Sequence, residues 1–350
     1  MKDFKKTIIN TSIVLVIVIL ITSALPIFYF ERRYRNNTVD SETRNSLSGS
    51  IDVLFLGASH AKCAINPEIY DDAMGSNSYN LSYEMVSMKG RYEVLKYECS
   101  RNPIKTVYIE LSHDALTRDQ HLEGDMNLAS FYSSPFKRFA WLVKAFGLSG
   151  FEEMLSTATQ RSINEVYSII HNIKSDNDRI VIKGFKSLPA YWLDADYSPT
   201  EYDLEAHNTS IRKENEEYLE RIISYCKNKN IRIYLITIPI SYKYIENNPS
   251  NYDFDEYCNY YRKLADAQNI LYFDFNLLKE ASSISSDDRN FYDACHLSDT
   301  GASAFTYMLI ETINNSNNNK DLADCFYSSY TEMKKDFPYI EYIKCAESSW

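Results

Sequence analysis

Glycine and proline are scarce in this 350-residue chain, at nine each, and tryptophan occurs three times. So few turn-forming residues exclude collagen-like repeats and long flexible linkers. The seven cysteines, at 63, 99, 226, 258, 295, 325 and 345, form no CxxC and no paired metal-type spacing. An odd count does not read as a disulfide framework, and buried free thiols are expected, with Cys325 and Cys345 the pair that could bridge the tail. No metal site and no cofactor is expected. Positive charge is also short. Residues 1–35 carry six basic side chains against two acidic ones, and the chain as a whole stands at −11, which leaves −15 on residues 36–350. A body this acidic repels phosphate backbones, so nucleic acid is excluded as a partner.

What is abundant is apolar and aromatic. Hydrophobic residues make up 45% of the chain and tyrosine numbers 29. Thr7–Phe30 holds no charged residue, and Ile13 to Ile21 is unbroken aliphatic. At ~1.5 Å per residue this stretch is roughly 36 Å long, enough to cross a hydrocarbon core of about 30 Å. It reads as a single membrane-spanning anchor in residues 1–35. Thr22-Ser23-Ala24 is a small-residue cleavage signal, but the apolar run is longer than a signal-peptide core, which favours an uncleaved anchor. Three basic residues flank each side, so the positive-inside rule barely discriminates. The very short leading segment places the amino terminus in the cytoplasm and the body outside. Residues 36–50, polar and rich in Ser, Thr and Asn, read as a stalk.

From residue 51 apolar runs alternate with helical patterns. The runs are Ile51–Leu56, Tyr79–Leu81, Thr106–Leu111, Ile231–Ile238 and Ile270–Phe275. Helical patterns lie at Met88–Cys99, at Tyr218–Cys226, at Tyr257–Ala267, and after Ser298, where Ala302, Phe305, Leu309 and Ile313 form a buried stripe. This alternation predicts an α/β domain with a parallel five-stranded sheet covered by helices on both faces. Residues 115–207 interrupt it with a long insertion, helical near Lys137–Phe146 and Ile163–Ile173, with an aromatic stretch Gly184–Trp192. A connection of that length is functional or a subdomain. The domain runs to residue 314, and 315–350 form a tail.

Two motifs carry chemistry. Gly57-Ala58-Ser59-His60 follows the first strand, where a parallel sheet presents its ligand-binding edge. Asp293-Ala294-Cys295-His296-Leu297 follows the last strand and precedes the last helix. A serine nucleophile needs a base, and the base needs an anion to fix its tautomer. Asp293 and His296 can supply both from one loop. The alternative is that Asp293 competes with Ser298 to cap the helix and His296 is a surface histidine. The chain has no G-x-S-x-G, so the nucleophile elbow of the α/β-hydrolases is absent.

The pair of motifs resembles the SGNH/GDSL hydrolase family, over most of residues 51–314. The resemblance implies a flavodoxin-like three-layer sandwich and a triad of Ser59, Asp293 and His296. The family has a Gly after the second strand as oxyanion donor, where this chain has Ser82. It has G-x-N-D after the third, where Leu111-Ser112-His113-Asp114 places His113 at the Asn. Ser82 and His113 are therefore the expected further oxyanion donors, and the departures put high activity in doubt. Anchor, insertion and D-x-x-H-L ending look most like the family's membrane-anchored cell-surface O-acylation proteins, of the alginate O-acetylation and lipoteichoic-acid D-alanylation kind. This implies an extracytoplasmic esterase or O-acyltransferase acting on a surface glycan or polymer, with a membrane-bound O-acyltransferase as partner. The rival reading is a weak or inactive SGNH scaffold that binds such a transferase or a glycan.

Overall fold

A computed structural model describes residues 10–14, 43–117, 124, 125, 128, 135–170, 181–190, 210–247 and 253–336. The chain divides into two compact units, one of residues 1–41 and 122–178, the other of residues 42–121 and 179–350.

The second unit holds the strands: β1 (Val53–Leu56), β2 (Ser78–Asn80), β3 (Thr106–Glu110), β4 (Val181–Ile182), β5 (Phe185–Lys186), β6 (Arg232–Thr237) and β7 (Leu271–Asp274). Five make one sheet in the order β2-β1-β3-β6-β7, every neighbouring pair parallel. Counted along these five alone, the order is 2-1-3-4-5, that of flavodoxin-like sheets, with a switch point between β1 and β3. All of β1 is buried, as expected of a strand covered on both faces. Across the sheet Phe55, Tyr108 and Tyr234 stack ring on ring at 5.1 and 5.0 Å.

The helices of this unit are α1 (Ser59–Ala64), α2 (Pro67–Met74), α3 (Met88–Cys99), α5 (Lys213–Asn228), α6 (Tyr242–Asn247), α7 (Phe254–Gln268), α8 (Ser282–Ser285), α9 (Asp299–Asn317) and α10 (Tyr330–Met333), with α4 (Pro135–Ile170) in the other unit. On one face Tyr70 of α2 meets Phe55 edge-on, and Phe305 of α9 meets Phe275. Side chains alternate along a strand, so Tyr272 points the other way, against Tyr261 of α7. Helices on both faces make three layers, with the core between them. Each large apolar side chain fully buried there contributes about 1.5–3 kcal/mol. The expected stripe of α9 is buried throughout, and Ser298 caps the helix by accepting Gly301 N–H at 3.4 Å.

Some of the expected elements lie outside the described residues, and others take a different form. The expected anchor, residues 7–30, lies outside the described residues except for 10–14, which are helical. Among the described residues no helix is long and apolar enough to cross a membrane. Within the expected stalk, residues 43–46 are helical and Arg44 is buried 3.6 Å from Glu98 of α3. The two helical stretches expected near 137 and 163 form α4, broken at Gly147, whose φ of 72° no right-handed helix allows. Hairpin β4–β5 belongs to the sheet-bearing unit and docks on it through Asn80 N–H to Lys183 O at 2.9 Å. In the tail, Tyr330 is buried and its hydroxyl donates to Asp274 at 3.0 Å. Cys325 is a free thiol, and Cys345 lies outside the described residues.

Candidate active site

β1 ends at Leu56, and the chain turns through Gly57 and Ala58 straight into α1, whose first residue is Ser59. The turn is crowded. A Cβ on Gly57 would stand 2.4 Å from Ala61 Cβ and 2.8 Å from Glu110 Cβ, so only glycine fits. Ala58 N–H donates to Glu110 Oε2 at 3.0 Å, and Lys62 N–H closes the first turn on Ala58 O at 3.1 Å. Ser59 is left half-buried at the carboxyl edge of the sheet, beside the switch point.

Asp293 and His296 come from a tight loop between β7 and α9. Asp293 Oδ1 accepts the backbone N–H of Cys295 at 2.9 Å and of His296 at 2.8 Å, which folds the D-x-x-H segment on itself. Tyr292 N–H returns to His296 O, and Ser241 N–H, after β6, holds Ala294 O. The loop approaches α9 so closely that a Cβ on Gly301 would meet Asn290 O at 2.1 Å. His296 Nδ1 lies 2.9 and 2.8 Å from the Asp293 oxygens, and its Nε2 lies 2.8 Å from Ser59 Oγ. Burial pushes the Asp293 carboxyl up, but the bonds from the His296 ring and from the two backbone N–H groups outweigh it and hold the group below its ordinary range.

A brace joins the two carriers of these residues. Glu84 binds both Lys62 of α1 and Lys186 of β5 at 3.0 Å. Burial alone would raise the Glu84 carboxyl, but the two ammonium groups hold it far below its usual range. Just beyond β5, Leu188 exchanges two bonds with Asp299 at the start of α9, through Asp299 N–H to Leu188 O and Leu188 N–H to Asp299 Oδ1. The segment 181–190 thus ties α1 to α9.

The two further expected donors make other hydrogen bonds. Ser82 is fully buried, and its N–H is directed to Asn80 Oδ1 at 3.2 Å. Asn80 in turn spends its amide on Ala61 O and Ile65 O. His113 is buried against Phe254 and Tyr244, whose hydroxyl lies 3.5 Å from its Nε2. A narrow cleft of about 30 Å³ opens beside Ser59, and Met85, Met88, Arg91, Ser112, Asp114 and Asn215 line it. Ser112 and Asp114 flank His113 in sequence, and Ser112 Oγ donates to Asp114 at 2.6 Å. Arg91 and Asn215 went unnoticed in the sequence, although Arg91 interrupts the apolar stripe of Met88 and Leu95 on α3, a signal that was there to read. Met85 holds a φ of 56°, a left-handed value that long side chains rarely adopt and that recurs at ligand-binding walls.

Among the described residues no group of three or more His, Cys, Asp or Glu is placed to hold a metal ion.

No family model and no curated protein matches the chain. Among solved structures it is similar to a protein from Streptococcus pneumonia described as a platelet activating factor, at 12% identity and a TM-score of 0.38, covering 85% of this chain and 99% of that one. It is similar to the psychrotrophic esterase EstA of Pseudoalteromonas sp., at 11% identity and 0.36, covering 76% and 98%. A GDSL-like lipase of Bacteroides thetaiotaomicron gives 9% and 0.36, covering 80% and 98%. At such scores these likenesses carry no functional argument, and the reading below rests on the geometry of Ser59, Asp293 and His296.

Proposed function

We propose that this chain is a serine esterase or O-acyltransferase that opens acyl esters through Ser59. The unbroken line from Asp293 through His296 to Ser59, in bonds of 2.8 to 2.9 Å, carries the reading. Asp293 can only accept when ionised, so the ring proton sits on Nδ1 and Nε2 of the neutral imidazole receives the Ser59 proton. Oγ attacks the ester carbonyl carbon as its proton passes to Nε2, and the carbonyl electrons move onto oxygen. Collapse expels the alcohol, which takes the proton back from Nε2 and leaves the acyl group on Ser59. Water or a sugar hydroxyl then gives its proton to Nε2 and attacks the acyl carbon, and Ser59 Oγ leaves, taking that proton back from Nε2. Water makes an esterase, and a sugar makes a transferase.

The oxyanion falls to the N–H of Ser59, which at the first position of α1 has no acceptor within the helix. The cleft beside Ser59 has room on the scale of one or two waters, which supports a short acyl group such as acetyl. The sequence alone supports the rest of the proposal: an anchor in residues 7–30, an extracytoplasmic body, a surface glycan or polymer as substrate, and a membrane-bound O-acyltransferase as partner.

A second reading, a binding scaffold on this fold, is favoured by one observation. The N–H of Ser82 is directed to Asn80 Oδ1, and His113 Nε2 lies 3.5 Å from the Tyr244 hydroxyl, although both residues were expected to serve the oxyanion. The test is release of acid from acetyl esters by the full chain and by Ser59→Ala. Loss in the variant supports catalysis. Equal release from both would sink the esterase reading, and absence of release from either would move the weight to the scaffold.

A further inference from the structure

We infer that Glu110 is a positioning residue for Ser59, an inference that rests on the nucleophile reading above. Glu110 ends β3, and the register that pairs Leu56 with Ile109 sets it beside Gly57. Its side chain is 1% exposed. Oε2 accepts the N–H of Ala58, the residue that precedes Ser59, at 3.0 Å. On the opposite side Arg91 clasps the same residue twice, with one guanidinium nitrogen on Glu110 O at 2.6 Å and another 3.5 Å from Oε2. Independently, the space a Cβ on Gly57 would need is filled by Glu110 Cβ and Oε2, at 2.8 and 2.9 Å. The carboxyl is therefore wedged between the nucleophile turn and α3.

Such a placement is more than the filling of space. Burying a carboxyl is costly unless it is paired and hydrogen-bonded, and a leucine or methionine would fill the gap without that cost. What an apolar side chain cannot do is accept the Ala58 N–H. That bond fixes the Gly57–Ala58 peptide plane, one residue before Ser59, and through this turn where Oγ stands relative to His296 Nε2. The second carboxyl oxygen, Oε1, accepts no hydrogen bond among the described residues and lies 4.0 Å from Nδ1 of His60, the residue that follows Ser59. Glu110 thus borders the nucleophile from both chain directions. It does not touch the reacting atoms and acts through Ala58.

Two variants separate positioning from packing. Glu110→Gln keeps an acceptor oxygen, and Glu110→Met keeps the shape without one. With p-nitrophenyl acetate and the full chain, Glu110→Gln should stay within about threefold of wild-type kcat. Glu110→Met should lose roughly 10–100-fold in kcat with KM within about twofold, since small misplacement of a reacting group costs that much. Rates are counted per folded molecule from the melting transition. Equal rates for Glu110→Met and wild type overturn the inference and leave the nucleophile reading standing. Hydrolysis by the wild type that survives Ser59→Ala, or no hydrolysis by the wild type, removes the nucleophile reading and this inference with it. Hydrogen exchange in the wild type supplies a measurement that needs no variant to fold. A slow Ala58 amide is expected, and one exchanging as freely as an exposed loop overturns the bond to Glu110.

Discussion

His296 Nε2 and Ser59 Oγ stand 2.8 Å apart although 237 positions separate them in the chain. The sheet brings them together: Ser59 leaves β1 and His296 lies between β7 and α9, both at the carboxyl edge. A base within hydrogen-bond reach of a half-buried serine, and itself held by a carboxylate, is the arrangement that nucleophilic acyl transfer requires.

The three side chains should behave as a unit in kinetics. His296→Ala is expected to lower kcat by at least about 1,000-fold, and Asp293→Asn by a similar order, with both variants folded. Steady-state hydrolysis of an activated acetyl ester measures this. A drop of less than tenfold in His296→Ala would mean that another group takes the proton.

The cleft beside Ser59 makes a prediction about chain length. Acetyl esters should be turned over faster than hexanoyl or octanoyl esters of the same alcohol, by roughly tenfold or more in kcat/KM, because a long chain finds no room in about 30 Å³. A rate that rises with chain length would place the acyl group elsewhere.

Asp293 also sets a pH dependence. Its carboxyl is held below the ordinary range in the folded state, so over the acid window the unfolded chain binds more protons than the native one. The stabilisation from this group is complete above the unfolded value, about 3.9, and is lost as pH falls through the folded value. The melting temperature of the wild type should exceed that of Asp293→Asn most above about pH 5, and the gap should narrow below about pH 4. A gap that widens on acidification contradicts the sign.

Gly184 is a structural point of failure. It has a φ of 85°, and a Cβ there would lie 1.8 Å from Asn80 O. Gly184→Ala should destabilise the sheet-bearing unit by about 2–4 kcal/mol, through strain and through the loss of the hairpin's seat on β2. Thermal melting measures it, and an unchanged transition would show that the hairpin does not seat there.

Much of the layout was legible because it is local. The five strand runs matched the strands within two residues at each end, and Met88–Cys99 is a helix over that same span. The D-x-x-H loop could be read because Asp293 gathers the N–H groups of its own next few residues. What could not be read from the motifs is how side chains are engaged. Ser82 looked like a donor, but the Asn80 side chain two residues back takes its N–H. His113 looked like the third-block donor, but β3 ends at Glu110 and His113 begins a turn, closed by Ala115 N–H on Ser112 O at 3.1 Å. Ser112 and Asp114 line the Ser59 cleft, and His113 turns to Tyr244 and Phe254. Arg91 and Glu110, nineteen positions apart, meet only because α3 packs over the end of β3.

The most direct measurement is intact-mass spectrometry of the full chain after exposure to a fluorophosphonate, beside the Ser59→Ala variant. A single adduct on the wild type that vanishes in Ser59→Ala is the expected result. A folded wild type that takes no adduct, or an adduct that persists in the variant, would contradict Ser59 as the nucleophile.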